Sequence, residues 1–324
     1  MKLISLFSGI GGLDIGASAA FEKHGIALRP SFFCEIDPYC RAILHRHFPA
    51  ACIFHDVRFI CDPPEADIVL MGFPCQDASI LNRAAKGLDG PRTGLFFEGW
   101  RVAQESGAKI VIMENVAAFK NRGAAEVRKI AKAAGYHFED TVVSAAHFGA
   151  PHLRKRWMGI AYKDDDIICP GWSERIPPSV SAPRLRWPTM RAGKTCGDSV
   201  ERFKRARGRG HVSTPHIETA IWIAQERKGR MSIEWGERLM GFPVGYTCTE
   251  GPDNRQILPW GEDWDGDIPA QTQTPIKDRT KRLKALGNSV VPAWAFGVLD
   301  HALSPAGASR QLPLPMFEGA ASCP

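Results

Sequence analysis

A cysteine between proline and glutamine, Pro74-Cys75-Gln76, follows the apolar run Asp67-Ile68-Val69-Leu70-Met71 and the short link Gly72-Phe73. A thiol there can serve as a covalent nucleophile once its pKa is lowered, because the thiolate is the reactive form. A second apolar run, Lys109 to Met113, ends in Glu114-Asn115-Val116 and offers a carboxyl group. The chain opens with a third, Leu3-Ile4-Ser5-Leu6-Phe7, running into Ser8-Gly9-Ile10-Gly11-Gly12. Glycines at 9, 11 and 12 let the backbone approach a ligand closely and start the following helix. A dinucleotide fingerprint needs its last glycine at 14, where this chain has Asp14, so NAD is disfavoured. A thiol, a carboxyl and a glycine loop together point to covalent chemistry with a nucleotide-like cofactor.

These groups converge only if the three runs are neighbouring strands of one sheet. Open α/β sheets bind ligands outside the carboxyl ends of their strands, where residues far apart in sequence meet. Residues 1–163 alternate short β-rich runs with helical patterns, as βαβ units with a parallel sheet require. Strands are expected at Lys2 to Phe7, Ser31 to Glu35, Cys52 to His55, Asp67 to Gly72, Lys109 to Glu114, Thr141 to Ala146 and Arg156 to Ala161. Helices are expected at Leu13 to His24, Tyr39 to Phe48, Leu95 to Ser106 and Ala124 to Ala134.

The set Phe7-Ser8-Gly9-Ile10-Gly11-Gly12, Glu35-Ile36-Asp37, Pro74-Cys75-Gln76, Glu114-Asn115-Val116, Arg154-Lys155-Arg156 and Gly287-Asn288-Ser289-Val290-Val291-Pro292 resembles, in order, the motif series of the DNA (cytosine-5) methyltransferases. The resemblance implies an α/β fold, a doubly wound Rossmann-like methyltransferase sheet with a small irregular target-recognition domain. It implies S-adenosyl-L-methionine as cofactor, a sulfonium compound without a pyrophosphate. Phe7, Gly9, Gly11, Gly12 and Leu13 then form the cofactor loop. Glu35 takes the ribose hydroxyls beside Ile36, and Asp56 takes the adenine amino group beside Val57. Pro74, Leu95, Asn288, Ser289 and Val290 complete the pocket. For Asp56 a helix cap is the alternative reading.

The resemblance also assigns the chemistry. Cys75 adds to C6 of cytosine and makes C5 nucleophilic, and Glu114 shares a proton with N3. Arg154 neutralises the O2 side of the ring, whereas Arg156 is structural or phosphate-directed. The target base is flipped out of the duplex. The region from Gln76 to Gly94 resembles the mobile loop that closes over it, with Gln76, Ser79 and Arg92 facing DNA. Two departures stand out: His152 replaces the family's glutamine two places before Arg154, and the link from Gly241-Phe242-Pro243 to Gly287 is long.

After Tyr162 the periodicity dissolves among Pro and Gly, and residues 164–275 are expected to form the target-recognition region. Arg184, Arg186, Arg191, Arg202, Arg205, Arg207 and Arg209 cluster there with Trp172, Trp187 and Phe203 interleaved. A solvated basic face is the bland reading. Beside a DNA-modifying site, phosphate contact by Arg184, Arg186, Arg205, Arg207 and Arg209 is the favoured one. The acidic, Trp-containing link 247–279 has no evident role. Residues 276–304 return to the catalytic domain, and 305–324 form a flexible tail.

Composition agrees. The 324 residues are 44% hydrophobic and 23% charged, ordinary globular values, and the net charge of +6 suits a polyanion if clustered. The 9 cysteines include no CxxC pair, so neither a zinc site nor a disulfide framework is expected, and most thiols should be buried. Glycines and Asp14 interrupt the apolar N-terminus, against a secretion signal. The expected setting is the cytoplasm of a bacterial or phage-infected cell, nucleoid-associated through DNA. The expected partner is double-stranded DNA, with no membrane, and a monomer is expected; a cognate restriction endonuclease is one candidate partner. The alternatives in function are a catalytically inactive DNA-binding or regulatory relative and an RNA cytosine-5 methyltransferase, although the Cys-Phe-Thr signature of the tRNA-directed branch is absent.

Overall fold

The computed structural model describes residues 1–74, 94–163, 167–176, 187–190, 217–226, 229–250, 260, 270–272 and 275–305. The first half lays down β1 (Lys2–Leu6), α1 (Gly12–Lys23), β2 (Arg29–Cys34), α2 (Pro38–His47), β3 (Cys52–Phe54) and β4 (Ile68–Met71). It continues with α3 (Leu95–Glu105), β5 (Ile110–Val116), α4 (Ala124–Ala133), β6 (His137–Ser144) and β7 (Lys155–Tyr162). The strands form one seven-stranded sheet in the order β3-β2-β1-β4-β5-β7-β6.

Successive side chains in a strand point to opposite faces, and both faces of this sheet are covered. Leu3, Ile68, Leu70, Ile110 and Ile112 pack on one side with α1. Ile4, Leu6, Val69, Met71, Val111 and Met113 pack on the other with α3 and α4. Burial on both faces is why these strands read as apolar runs without alternation. The order of connections reverses between β1 and β4, which opens a crevice at their carboxyl ends.

Two expectations need correction. The sheet is not wholly parallel, because β7 runs antiparallel between β5 and β6. The link from β6 to β7 carries a short 3-10 turn, Ala145–Phe148, instead of a crossover helix, and only a crossover helix would return the chain parallel. β6 also starts at His137, four residues ahead of the expected Thr141, because Asp140 disguises its apolar face. Asp140 is buried yet satisfied: Lys120, Arg128 and the Trp157 indole all donate to its carboxylate.

The described parts of the later chain pack onto the α1 side. They include α5 (Trp172–Arg175), α6 (Ile217–Gln225), a two-stranded ribbon of β8 (Arg230–Met231) and β9 (Gln271–Thr272), and α7 (Ile233–Leu239). α8 (Arg279–Asn288) and α9 (Pro292–Leu303) follow. α9 starts on Pro292, is buried on every side, and packs along α1, where a side chain at Gly16 would strike the Pro292 carbonyl at 2.4 Å. Trp172, Met190, Ile217, Trp235 and Phe242 share one core with α1 and α9, so these parts of 164–275 are built onto the catalytic half. Of the described cysteines, Cys34 and Cys40 are buried but Cys52 and Cys61 are exposed, which departs from the expectation of mostly buried thiols. Among the described residues no helix is long and apolar enough to cross a membrane, and no group of three or more His, Cys, Asp or Glu could hold a metal ion.

Candidate active site

At the end of β1 the chain turns sharply. Phe7 takes φ 56°, unusual for a residue with a side chain, and Gly9 follows at φ 57° with open space where a Cβ would stand. The Glu35 carboxylate at the end of β2 accepts from the Gly9 amide at 2.7 Å and from the Asp37 amide at 2.8 Å, which fixes the loop. Burial raises the Glu35 pKa, opposed by those two amide bonds. Arg41 donates to the Glu35 and Ile36 carbonyls and holds the neighbouring backbone. Ile36 is 67% exposed, an apolar platform beside the loop. Gly12 cannot carry a side chain: its Cβ would meet the Val290 carbonyl at 2.3 Å and Ser289 Oγ at 2.7 Å, so the segment preceding α9 lies directly on the loop.

One pocket collects much of the expected set. Its lining includes Phe7, Gly9, Gly12, Leu13, Gly72, Glu114, Asn288, Ser289 and Val290, together with Ser5 and Asp14. Glu35 and Ile36 stand beside it through the loop, but Asp56 does not turn to it. Its carboxylate caps the 3-10 turn Val57–Phe59 and pairs with the Arg58 guanidinium at 2.6 Å, the alternative that the sequence left open. Leu95 packs at the start of α3 with the opposite face of the sheet, where Val57 is also buried.

Glu114, at the end of β5, faces Gly72 and is paired by Arg156 Nε at 2.9 Å. Burial raises its pKa, and the positive charges of Arg156 and Arg154 oppose that rise. Asn115 donates to the Phe73 carbonyl at 3.2 Å while its side-chain oxygen accepts from the Val116 amide, which ties the end of β5 to the backbone leading into Pro74.

The two arginines stand in different surroundings. Arg154 is buried, and its guanidinium donates to the carbonyls of Met190, Gly287 and Ser289, so it clamps three segments of backbone. Arg156, not Arg154, reaches the carboxyl that faces the crevice. Arg154 precedes β7, which begins at Lys155, and turns inward, whereas Arg156 lies in the strand opposite Val116.

His152 is fully buried, and its Nε2 lies 3.0 Å from the Leu239 carbonyl, so Nε2 carries the hydrogen and donates. Nδ1 has no hydrogen-bond partner. Burial first, then the Arg154 charge, lowers its pKa to about 3. The ring is therefore neutral and does what a glutamine amide could do, joining the catalytic half to α7. Above about pH 6.5 both folded and unfolded states hold it neutral; below that only the unfolded state takes the proton, until the folded value is reached. Stability should fall by up to about 1.4 kcal/mol per pH unit over this window. Urea unfolding at pH 7.5 and 5.0 should show a loss about 2 kcal/mol smaller in His152→Gln than in the wild type. Equal losses in both proteins would remove this assignment.

A second tether runs to the loop from beyond α7. The buried Glu237 carboxylate accepts from the Gly245 and Thr247 amides and from Arg282 of α8, forming a compact turn. From that turn Tyr246 donates its hydroxyl to the Ile10 carbonyl at 2.7 Å, and its ring lies flat on His47 at 3.9 Å. Trp260, in the acidic link that lacked a role, packs over Gly241 and donates to the Arg238 carbonyl at 2.8 Å. The sequence did not single out Tyr246, Arg282 or Ser5. Cys75, Gln76, Ser79, Arg92, Arg184, Arg186, Arg205, Arg207 and Arg209 lie outside the described residues.

Comparison with known proteins settles the family. The profile of the C-5 cytosine-specific DNA methylases matches residues 1–230, more than half of the chain. The chain belongs to this family. Among curated methylases it is similar to the type II methyltransferase M2.BsuMI of Bacillus subtilis, at 30% identity over 284 residues, covering 80% of this chain and 70% of that one. It is also similar to M.NlaIV of Neisseria lactamica, at 31% identity over 169 residues, but this match spans 48% of the chain and only 40% of the relative. Among solved structures, a DNMT2 of Spodoptera frugiperda superposes with a TM-score of 0.56 at 15% identity, covering 94% of this chain and 99% of that one, which shows the shared fold.

The methylase family and fold imply an enzyme dependent on S-adenosylmethionine. The residues present fit that compound. Open space stands at Gly9, Ile36 is exposed and Glu35 buried beside the loop, and the buried Asp14 lines the pocket, surroundings compatible with a nucleoside and a cationic group.

Proposed function

We propose that this methylase transfers a methyl group from S-adenosylmethionine to C5 of a cytosine flipped out of double-stranded DNA, through a bond between Cys75 Sγ and C6. The observation that carries the reading is Glu114, held by Arg156 in the same pocket as the Gly9 loop. C5 of cytosine is a poor nucleophile, and adding a thiolate at C6 turns it into an enamine carbon. That addition places negative charge on N3 and O2. Glu114 is placed to share a proton with N3 as that charge builds, an exchange favoured by the burial that raises its pKa, and the Arg156 guanidinium next to it balances the charge toward O2. S-adenosylmethionine supplies an electrophilic methyl on its sulfonium. Loss of the C5 proton to solvent water then expels the thiolate from C6 and restores the ring. Asn115 acts before any of this by fixing the backbone that presents Pro74 and Cys75. The arginines from 184 to 209 are assigned to phosphate contact on their sequence alone, and a restriction endonuclease is the partner that the type II relatives suggest.

Duplex DNA carrying 5-fluorocytosine tests the mechanism, because fluorine cannot leave as a proton. With S-adenosylmethionine present, a complex resistant to denaturation should form and map to Cys75, and none should form with Cys75→Ala or with the same sequence as RNA. An adduct elsewhere, no adduct, or wild-type turnover by Cys75→Ser defeats the proposal.

A further inference from the structure

Asp14 takes no part in the mechanism above, yet it is the least compensated ionisable group among the described residues of the pocket. It occupies the first turn of α1, is 1% exposed, and neither carboxylate oxygen has a hydrogen-bond partner. The Ser5 hydroxyl, which donates to Ser8 Oγ, and the Asp14 amide lie beside it and offset its burial only in part. Leaving an ionised carboxylate buried without a counter-charge is strongly unfavourable. A fold keeps such a group where a ligand supplies the missing charge.

The surroundings say which charge. Asp14 and Glu114 are the titratable groups in the lining, from α1 and β5, and the remaining groups facing Asp14 from β1, the Gly9 loop and the segment before α9 are uncharged. Glu114 already has Arg156. The nucleoside side lies at Glu35 and Ile36, and the methyl must point toward Glu114. The amino-acid head of the cofactor is then left at the first turn of α1, where a helix N-terminus favours its carboxylate. We infer that Asp14 is the counter-charge for the α-ammonium of S-adenosylmethionine. This inference rests on the proposed cofactor reading and assigns a residue to the cationic head. Desolvation pushes the Asp14 pKa up to about 7, against the smaller lowering by the Ser5 hydroxyl and the Asp14 amide, so at pH 6.5 much of the carboxyl carries a proton for an ammonium to displace.

Calorimetric titration with S-adenosylhomocysteine and with its analogue lacking the α-amino group tests the assignment. The wild type should bind the amine at least tenfold more tightly than the analogue. Asp14→Asn should lose at least tenfold for the amine and less than twofold for the analogue. Equal losses for both ligands, or none, would overturn it and leave Asp14 a structural residue. A second measurement does not depend on that variant folding. In Glu114→Gln protein at pH 6.5, titrations in buffers of different ionisation enthalpy should show proton release on binding the amine and none with the analogue; equal release refutes the inference. A wild type that binds neither compound refutes the cofactor reading itself, an outcome separate from both.

Discussion

Replacing Glu114 with glutamine lowers the single-turnover rate of methyl transfer by about a thousandfold, within the 10²–10⁴ range that a positioned acid–base group contributes. The substitution keeps the shape of the side chain and its ability to accept from Arg156. What it removes is the ionisable carboxyl proposed to share a proton with N3, whose pKa burial raises. The effect therefore belongs in the chemical step. S-adenosylhomocysteine affinity and DNA affinity should change by less than about threefold, well under the 1.4 kcal/mol that marks a tenfold change. Rapid-quench methylation under saturating enzyme gives the rate directly, and a variant within tenfold of wild type would show that Glu114 is not the proton-sharing group.

Arg154→Met should damage the fold more than the chemistry. The guanidinium donates to the Met190, Gly287 and Ser289 carbonyls, and a charged donor contributes roughly 1.5–3 kcal/mol per hydrogen bond. Methionine fills much of the space but leaves these buried acceptors unmet at about 1–3 kcal/mol each, so a loss of at least about 3 kcal/mol follows. At roughly 2 °C per kcal/mol for a chain of this size, the melting temperature should fall by at least about 6 °C. Arg154→Lys should recover only part of this, since one ammonium cannot span three carbonyls. Arg156→Met makes the contrast, with slow turnover and a melting temperature near wild type. A stable Arg154→Met protein with a slow chemical step would restore the ring-facing role to Arg154.

The strand ends that carry the site were legible because strands buried on both faces read as uninterrupted apolar runs. Val69 and Leu70, or Val111 and Ile112, point to opposite cores and both are aliphatic. The carboxyl-end rule then brought Gly9, Gly72 and Glu114 to one crevice. The rest depended on contacts between distant residues. Arg154 and Arg156 stand two apart with the same side chain, and only the start of β7 between them decides that one turns to the core and the other to Glu114. Asp140 reads as a surface residue until Lys120, Arg128 and Trp157 are placed around it. Asp56 offered two readings from sequence, and its carboxylate caps the 3-10 turn and pairs with Arg58. Asp14 was legible only as a glycine that is missing.

The Tyr246 tether bears on how such a methylase could be given a new target sequence. Residues 164–275 look from sequence like an exchangeable cassette, yet Tyr246 within them holds the Ile10 carbonyl, and Glu237 shares its charge with Arg282 outside them. A graft of the whole span would carry away a support of the cofactor loop and strand a buried cation in the host. The seams compatible with this architecture lie inside that span, after Met190 and before Ile217, where an exchange leaves both tethers with the host.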